Sequence, residues 1–149
     1  MRKKSNDAVI EALGQLLSDS YTLYLKTHNY HWNVTGPMFT TLHSLFMTQY
    51  SELALAVDDI AERIRALGAF APGSYTEFLE LATVKEASGH PSATQMIKTL
   101  AADQEVVVEA ARALFEAADK AKDQASADLA TRRLQVHEKN AWMLRSHVE

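Results

Sequence analysis

Pro37-Met-Phe-Thr-Thr-Leu-His-Ser-Leu-Phe-Met-Thr-Gln-Tyr-Ser-Glu-Leu-Ala-Leu-Ala-Val-Asp-Asp-Ile-Ala-Glu-Arg-Ile-Arg-Ala-Leu-Gly68 is the stretch on which the fold turns. Within it Leu42, Leu45, Phe46, Tyr50, Leu53, Val57, Ile60 and Ile64 recur on the period of a helix, not on the alternation of a strand. Gly36 and Gly68 mark its ends, and Pro37 suits its opening turn. The spacing therefore predicts one long amphipathic helix between the two glycines.

That helix also carries chemistry. At roughly 100° per residue, His43, Met47, Asp58 and Glu62 fall within one sector of about 100° and face the same way. Along the axis, however, His43 and Asp58 stand about 22 Å apart, at roughly 1.5 Å per residue. One helix cannot bring them to one ion. An antiparallel second copy, related by a two-fold axis near residues 52 and 53, sets His43 of one chain opposite Asp58 and Glu62 of the other and makes two such sites. Leu17, Tyr24 and His31 lie on one stripe of the preceding helix, which delivers His31 beside His43. Taken singly these residues have plainer accounts. Asp58 and Glu62, near Arg63 and Arg65, suit a solvated acidic face, and a lone histidine on an apolar stripe is usually structural. The convergence of two imidazoles and two carboxylates carries the metal expectation.

The remainder of the chain fits the same architecture. Its 149 residues suit one domain spanning residues 1–149, and 47% apolar content excludes a disordered chain. Without cysteine there is no disulfide framework, thiolate nucleophile, zinc ribbon or iron–sulfur cluster. The charged start lacks the apolar core of a signal peptide, and no segment has the roughly 18 to 20 apolar residues of a membrane span, so a cytoplasmic protein is expected. Five glycines and three prolines leave little turn material for so many helical periods. We expect an all-α bundle. Helix one is predicted from about Asn6 to His31, capped by Ser5 or Asn6. Ser74 and Glu77 stand at capping-box spacing and open a short helical piece within 74–86. Ser92 and Gln95 repeat that spacing before Met96, Leu100, Val107, Ala111 and Leu114. Ala130, Leu134, His137, Ala141, Leu144 and Val148 mark the fourth long helix.

A bundle with inward acids and histidines suggests a carboxylate metal protein, yet the chain has no Glu-x-x-His, the motif that builds a di-iron site inside one bundle. The arrangement shared between subunits remains the consistent one.

His31-Trp32-Asn33-Val34-Thr35-Gly36-Pro37-Met38-Phe39, Leu42-His43 and Asp58-Asp59-Ile60-Ala61-Glu62-Arg63 closely resemble the Dps family of mini-ferritins. The resemblance continues through His137-Glu138-Lys139 and Ala141-Trp142-Met143-Leu144, and so covers essentially the whole chain. It implies a ferritin-like four-helix bundle with a short extra helix between helices two and three, assembled as a hollow dodecamer. It also implies a ferroxidase that oxidises ferrous iron at the interface, preferring hydrogen peroxide to dioxygen, and stores ferric mineral inside. By resemblance, His31 and His43 of one subunit and Asp58 and Glu62 of its partner bind the iron. Carboxylate oxygen and imidazole nitrogen suit both oxidation states of iron, and equally admit zinc or another divalent ion.

The family pattern is broken at Met47, where an acid is usual. A thioether is a poor iron ligand; the preferred account is that Met47 packs between helices, and the sharper one is a weakened site. Trp32 stands where the resemblance implies an electron donor, and is equally a packing anchor. Asp123 and Asp128 lie where family members line an iron-entry pore, but the dipole of the last helix also favours acids there, and Arg132 and Arg133 follow. His137 is expected to be a hydrogen-bonded structural histidine. DNA binding, which the family name implies, rests on Arg2, Lys3 and Lys4 against a net charge of −4, so weak and salt-sensitive binding is expected. The alternative function is a DNA-coating nucleoid protein with a weak or inactive metal site.

Overall fold

The computed structural model describes residues 2–149, with side chains from Asn6 onward. The side chains of Arg2, Lys3 and Lys4, on which the DNA expectation rests, lie outside the described residues. Five helices follow in order: α1 (Arg2–Asn33), α2 (Phe39–Ala66), the short α3 (Tyr75–Leu81), α4 (Ala93–Lys120) and α5 (Gln124–Arg145). The fold is all-α, four long helices with a short one in the connection between α2 and α4, as the periodicity and the capping spacings predicted and as the family resemblance implied.

The helix ends follow local chemistry. At the head of α4 the capping box forms in full, Ser92 Oγ accepting from Gln95 N and Gln95 Oε1 accepting from Ser92 N. Ser74 caps α3 by accepting from Glu77 N, and the Glu77 carboxylate accepts from Gly73 N and Ser74 Oγ. Asp123 caps α5 by accepting from Ser126 N. Two boundaries differ from expectation. The chain ahead of Asn6 continues α1 to Arg2, since arginine and lysine are good helix formers and nothing there breaks the helix. The last helix starts at Gln124, ahead of the first apolar marker at Ala130.

Helix α1 packs against α2, α3 and α4, and α4 against α5. Leu13, Leu16, Leu23, Phe46, Leu53, Ile60, Ile97, Leu100 and Leu114 are fully buried between them. A polar layer crosses this core. Arg133 donates to Glu52 and to His137 Nε2, while His137 Nδ1 donates to Gln104 Oε1 at 2.6 Å. Lys26 pairs with Asp103 at 2.8 Å and donates to the Lys85 carbonyl. Burial pushes the Asp103 carboxyl up despite that lysine. The connection after α3 is tied to α1 through Asp19, whose Oδ1 accepts from Thr83 N and Val84 N, and α3 itself through a stack of Tyr21 on Phe78. These ties fix α3 over the outer side of α1. Tyr75 and Leu79 nonetheless remain largely exposed.

Candidate metal centre

The turn from α1 to α2 brings the two histidines together. Gly36, at φ 105°, supplies the left-handed residue this reversal needs, and Phe39 N donates back to the Gly36 carbonyl. His31, from the end of α1, and His43, from the second turn of α2, then stack with ring centroids 3.8 Å apart and planes 14° from parallel. Each Nδ1 lies 2.7 Å from the other residue's backbone carbonyl oxygen. A carbonyl only accepts, so each Nδ1 carries the proton. In the neutral rings both remaining lone pairs sit on Nε2. Reciprocal hydrogen bonds of this kind fix tautomer and ring orientation, as a carbonyl or carboxylate accepting from the far ring N–H does for a metal-bound imidazole. His31 is buried and His43 half-buried.

The carboxylates lie elsewhere. Asp58, Asp59 and Glu62 offer oxygens within 4.8 Å of one another, all three side chains exposed. Fifteen residues of helix separate His43 from Asp58, about 22 Å of axial rise. Within one subunit the structure thus pairs the imidazoles with each other and the acids with each other, and leaves the pairs apart. Asp59 is an addition to the expected set. It follows Asp58 directly and so falls outside the 100° sector that His43, Asp58 and Glu62 share, but exposed carboxylates on adjacent positions can still turn toward each other.

Around the histidines is an aromatic shell that spacing alone did not single out. Tyr50 meets the His31 ring edge-to-face at 5.1 Å, and His28 lies between Tyr50 at 4.3 Å and Trp32 at 3.9 Å. Burial, then the neighbouring His31, lowers the pKa of His28. Tyr50 is seven residues after His43 on the same stripe, which was the available signal. Trp32 is 57% exposed, and Met47 is 46% exposed. The expectation that Met47 packs between helices does not hold within the subunit: the stripe that carries His43 faces outward at that level.

Two other expected acids are already engaged. Asp123 accepts from Ser126 N, Ser126 Oγ and the Arg63 guanidinium, and Asp128 pairs with Arg132. Burial alone would raise Asp123, but those hydrogen bonds and the guanidinium outweigh it and hold its pKa low. Both nonetheless line an open pocket at the α4–α5 turn together with Asp119 and Lys122.

Residues 10–149 match the ferritin-like domain family. A DNA protection during starvation protein of Bacillus anthracis is 37% identical over 95% of this chain and 97% of its own length. The chain belongs to the Dps family. An uncharacterized low temperature-induced protein of Nostoc is 44% identical over 98% of this chain and 83% of its own. The crystal structure of a Vibrio cholerae Dps protein, described as a member of a broad superfamily of ferritin-like diiron-carboxylate proteins, superposes with a TM-score of 0.94 at 28% identity, covering 98% of this chain and 92% of that one. Membership in the Dps family fits the fold, the short α3 and the histidine pair at the α1–α2 turn. Among the described residues no helix is long and apolar enough to cross a membrane.

Proposed function

We propose that this Dps-family protein is a cytoplasmic ferroxidase and iron store, taking ferrous iron as substrate at a site shared by two subunits and oxidising it with hydrogen peroxide. One observation supports this above the others: two imidazoles held by reciprocal hydrogen bonds present free Nε2 atoms, while the clustered carboxylates Asp58 and Glu62 stand further along the same helix, out of their reach. A two-fold partner running antiparallel completes the set twice. His31 and His43 then supply nitrogen and the partner's carboxylates supply hard oxygen, a mixture suited to iron before and after oxidation. The chain's own part is to fix the two rings in one tautomer, to supply negative charge that favours the ferric product, and to admit peroxide along the exposed edge by Met47. In a hollow dodecamer the product is stored as mineral inside the shell. DNA is protected because ferrous iron and peroxide are consumed together, without any requirement for contact.

Ferrous oxidation under anaerobic conditions with added peroxide, followed by absorbance, tests the proposal. Wild type should oxidise iron well above the protein-free control, and Asp58→Ala, assembled to the same size, should lose most of that rate. Equal rates in the two would place the chemistry elsewhere. No oxidation in either would overturn the ferroxidase reading and promote the DNA-coating one. The names of the relatives favour that second reading enough to warrant a gel shift across a salt series; a net charge of −4 predicts release of DNA by about 150 mM salt.

A further inference from the structure

We propose that His43 and Met47 form a site for Cu(I), beside the iron position that His31 shares with the partner's carboxylates. The inference deepens the ferroxidase reading and rests on it only for the role given to His31.

As they stand, the two imidazoles do not share one ion. They stack 14° from parallel with centroids 3.8 Å apart, and an imidazole lone pair lies in its own ring plane, so an ion between the planes would stand out of both. Each Nε2 therefore serves a position of its own. Both are free to do so, because each Nδ1 is spent on the opposite carbonyl at 2.7 Å. The His43 ring is held further by Phe39, which stacks on it at 5.0 Å with planes 23° apart.

The two positions differ in what else reaches them. Met47 stands one turn after His43 on α2, and side chains so spaced are neighbours, with Cβ atoms about 5–6 Å apart. A helical side chain leans toward the helix N-terminus, so Met47 leans over the turn that carries His43, and its rotatable bonds let the sulfur meet Nε2. Packing within the subunit leaves this thioether 46% exposed, so no core contact claims the sulfur. One turn after His31 the chain has already left α1, and Thr35 offers no sulfur there. An imidazole with a thioether is a poor pair for iron and a good one for Cu(I), a soft ion satisfied by few ligands. No acid of the same helix competes at this end of the cluster, since Asp58 is about 22 Å along the axis. The centre thus takes two metals of different softness, sorted by the donor that each ring finds beside it.

The test titrates assembled, metal-free protein under anaerobic conditions against Cu(I) held by bicinchoninate, whose colour fades as the protein takes the ion. Wild type should withdraw one Cu(I) per chain. Met47→Leu, assembled to the same size, should bind about tenfold more weakly or worse, and Met47→Glu should lose Cu(I) as well, its soft donor exchanged for a hard one. X-ray absorption at the copper edge should show sulfur beside nitrogen in wild type and no sulfur in Met47→Leu. Met143 and His147 are another methionine and histidine one turn apart, with His147 Nδ1 bonded to the Met143 carbonyl at 2.8 Å. Equal affinity in wild type and Met47→Leu would move the copper to such a pair and overturn the proposal. A wild-type copper shell without sulfur, or no withdrawal of Cu(I) at all, would overturn it too. The titration contains neither iron nor peroxide, so its failure leaves the ferroxidase reading standing, and a protein that takes Cu(I) through Met47 without oxidising iron leaves the copper site standing.

Discussion

At the scale of single residues, the consequences of Met47 and His137 are the most readily measured. Met47 is half-exposed on the stripe that carries His43, so an acid there needs no repacking of the subunit core. Met47→Glu is expected to tighten ferrous binding about tenfold, near 1.4 kcal/mol, by adding a hard anionic ligand. Titration calorimetry under anaerobic conditions reads it, and unchanged affinity would mean that the vacant position matters little. His137 is buried with both ring nitrogens engaged. Burial first, and Arg133 beside it second, hold its pKa well below the usual value of 6.5. The unfolded chain thus takes up a proton near pH 6.5 that the folded chain refuses, and stability falls with pH below that point, by about 1.4 kcal/mol per pH unit. Asp103 works in the opposite sense above pH 3.8, because its raised pKa lets the folded state bind a proton first. Replacing His137 with Gln should lower the melting temperature at pH 7 and flatten its decline between pH 6.5 and 5. A variant as steep as wild type would assign the acid sensitivity to another group.

At the scale of elements, the α4–α5 turn separates what sequence could tell from what it could not. Period and capping boxes located α2, α3 and α4 because each carries apolar marks on one face and a polar signature at its start. α5 was read late, since Gln124 to Leu129 contain only one large apolar residue and the cap depends on Asp123 meeting Ser126 three residues on. The ion pairs Arg133–Glu52 and Lys26–Asp103 were illegible for a different reason: each joins helices distant in sequence, and a charged residue in a helical pattern looks the same whether solvated or paired. The histidine pair was legible because seven-residue spacing carried His31 to the very turn that reverses the chain. Its reciprocal hydrogen bonds were not, since they depend on backbone carbonyls. That same α4–α5 turn holds a defect. Lys122 sits at φ 59°, and its N–H and that of Asp123 bond back to the Asp119 and Ala118 carbonyls, a closure that favours glycine. Lys122→Gly should relieve about 1 kcal/mol of left-handed strain and raise the melting temperature by about 2–4 °C. No rise, or a fall, would mean that glycine's added freedom in the unfolded chain cancels the relief.

At the scale of the whole molecule, the outer side of α1 and α3 presents an apolar surface that a lone subunit has no means of covering. Leu25, Trp32, Tyr75 and Leu79 are all exposed and line one cavity of about 250 Å³ with Tyr21 and Phe78. Phe70, just ahead of α3, is 86% exposed beneath the Arg65 guanidinium. Large contiguous apolar surface of this kind marks an interface, and Dps-family membership makes a second copy its natural cover. The surface is continuous with Trp32, and so reaches the rim of the histidine pair. Leu79 is on α3, remote in sequence from all four proposed ligands, and is 62% exposed, so a charge there leaves the subunit core intact. Leu79→Glu is therefore expected to shift the assembly toward smaller species in light scattering while preserving helix content by circular dichroism. If the site is shared, iron oxidation must fall in step with the assembled fraction, although His31, His43, Asp58 and Glu62 are untouched. A dissociated variant that oxidises iron at the wild-type rate per chain would require the ligands to meet within one subunit, against the 22 Å or so of helix that separates them.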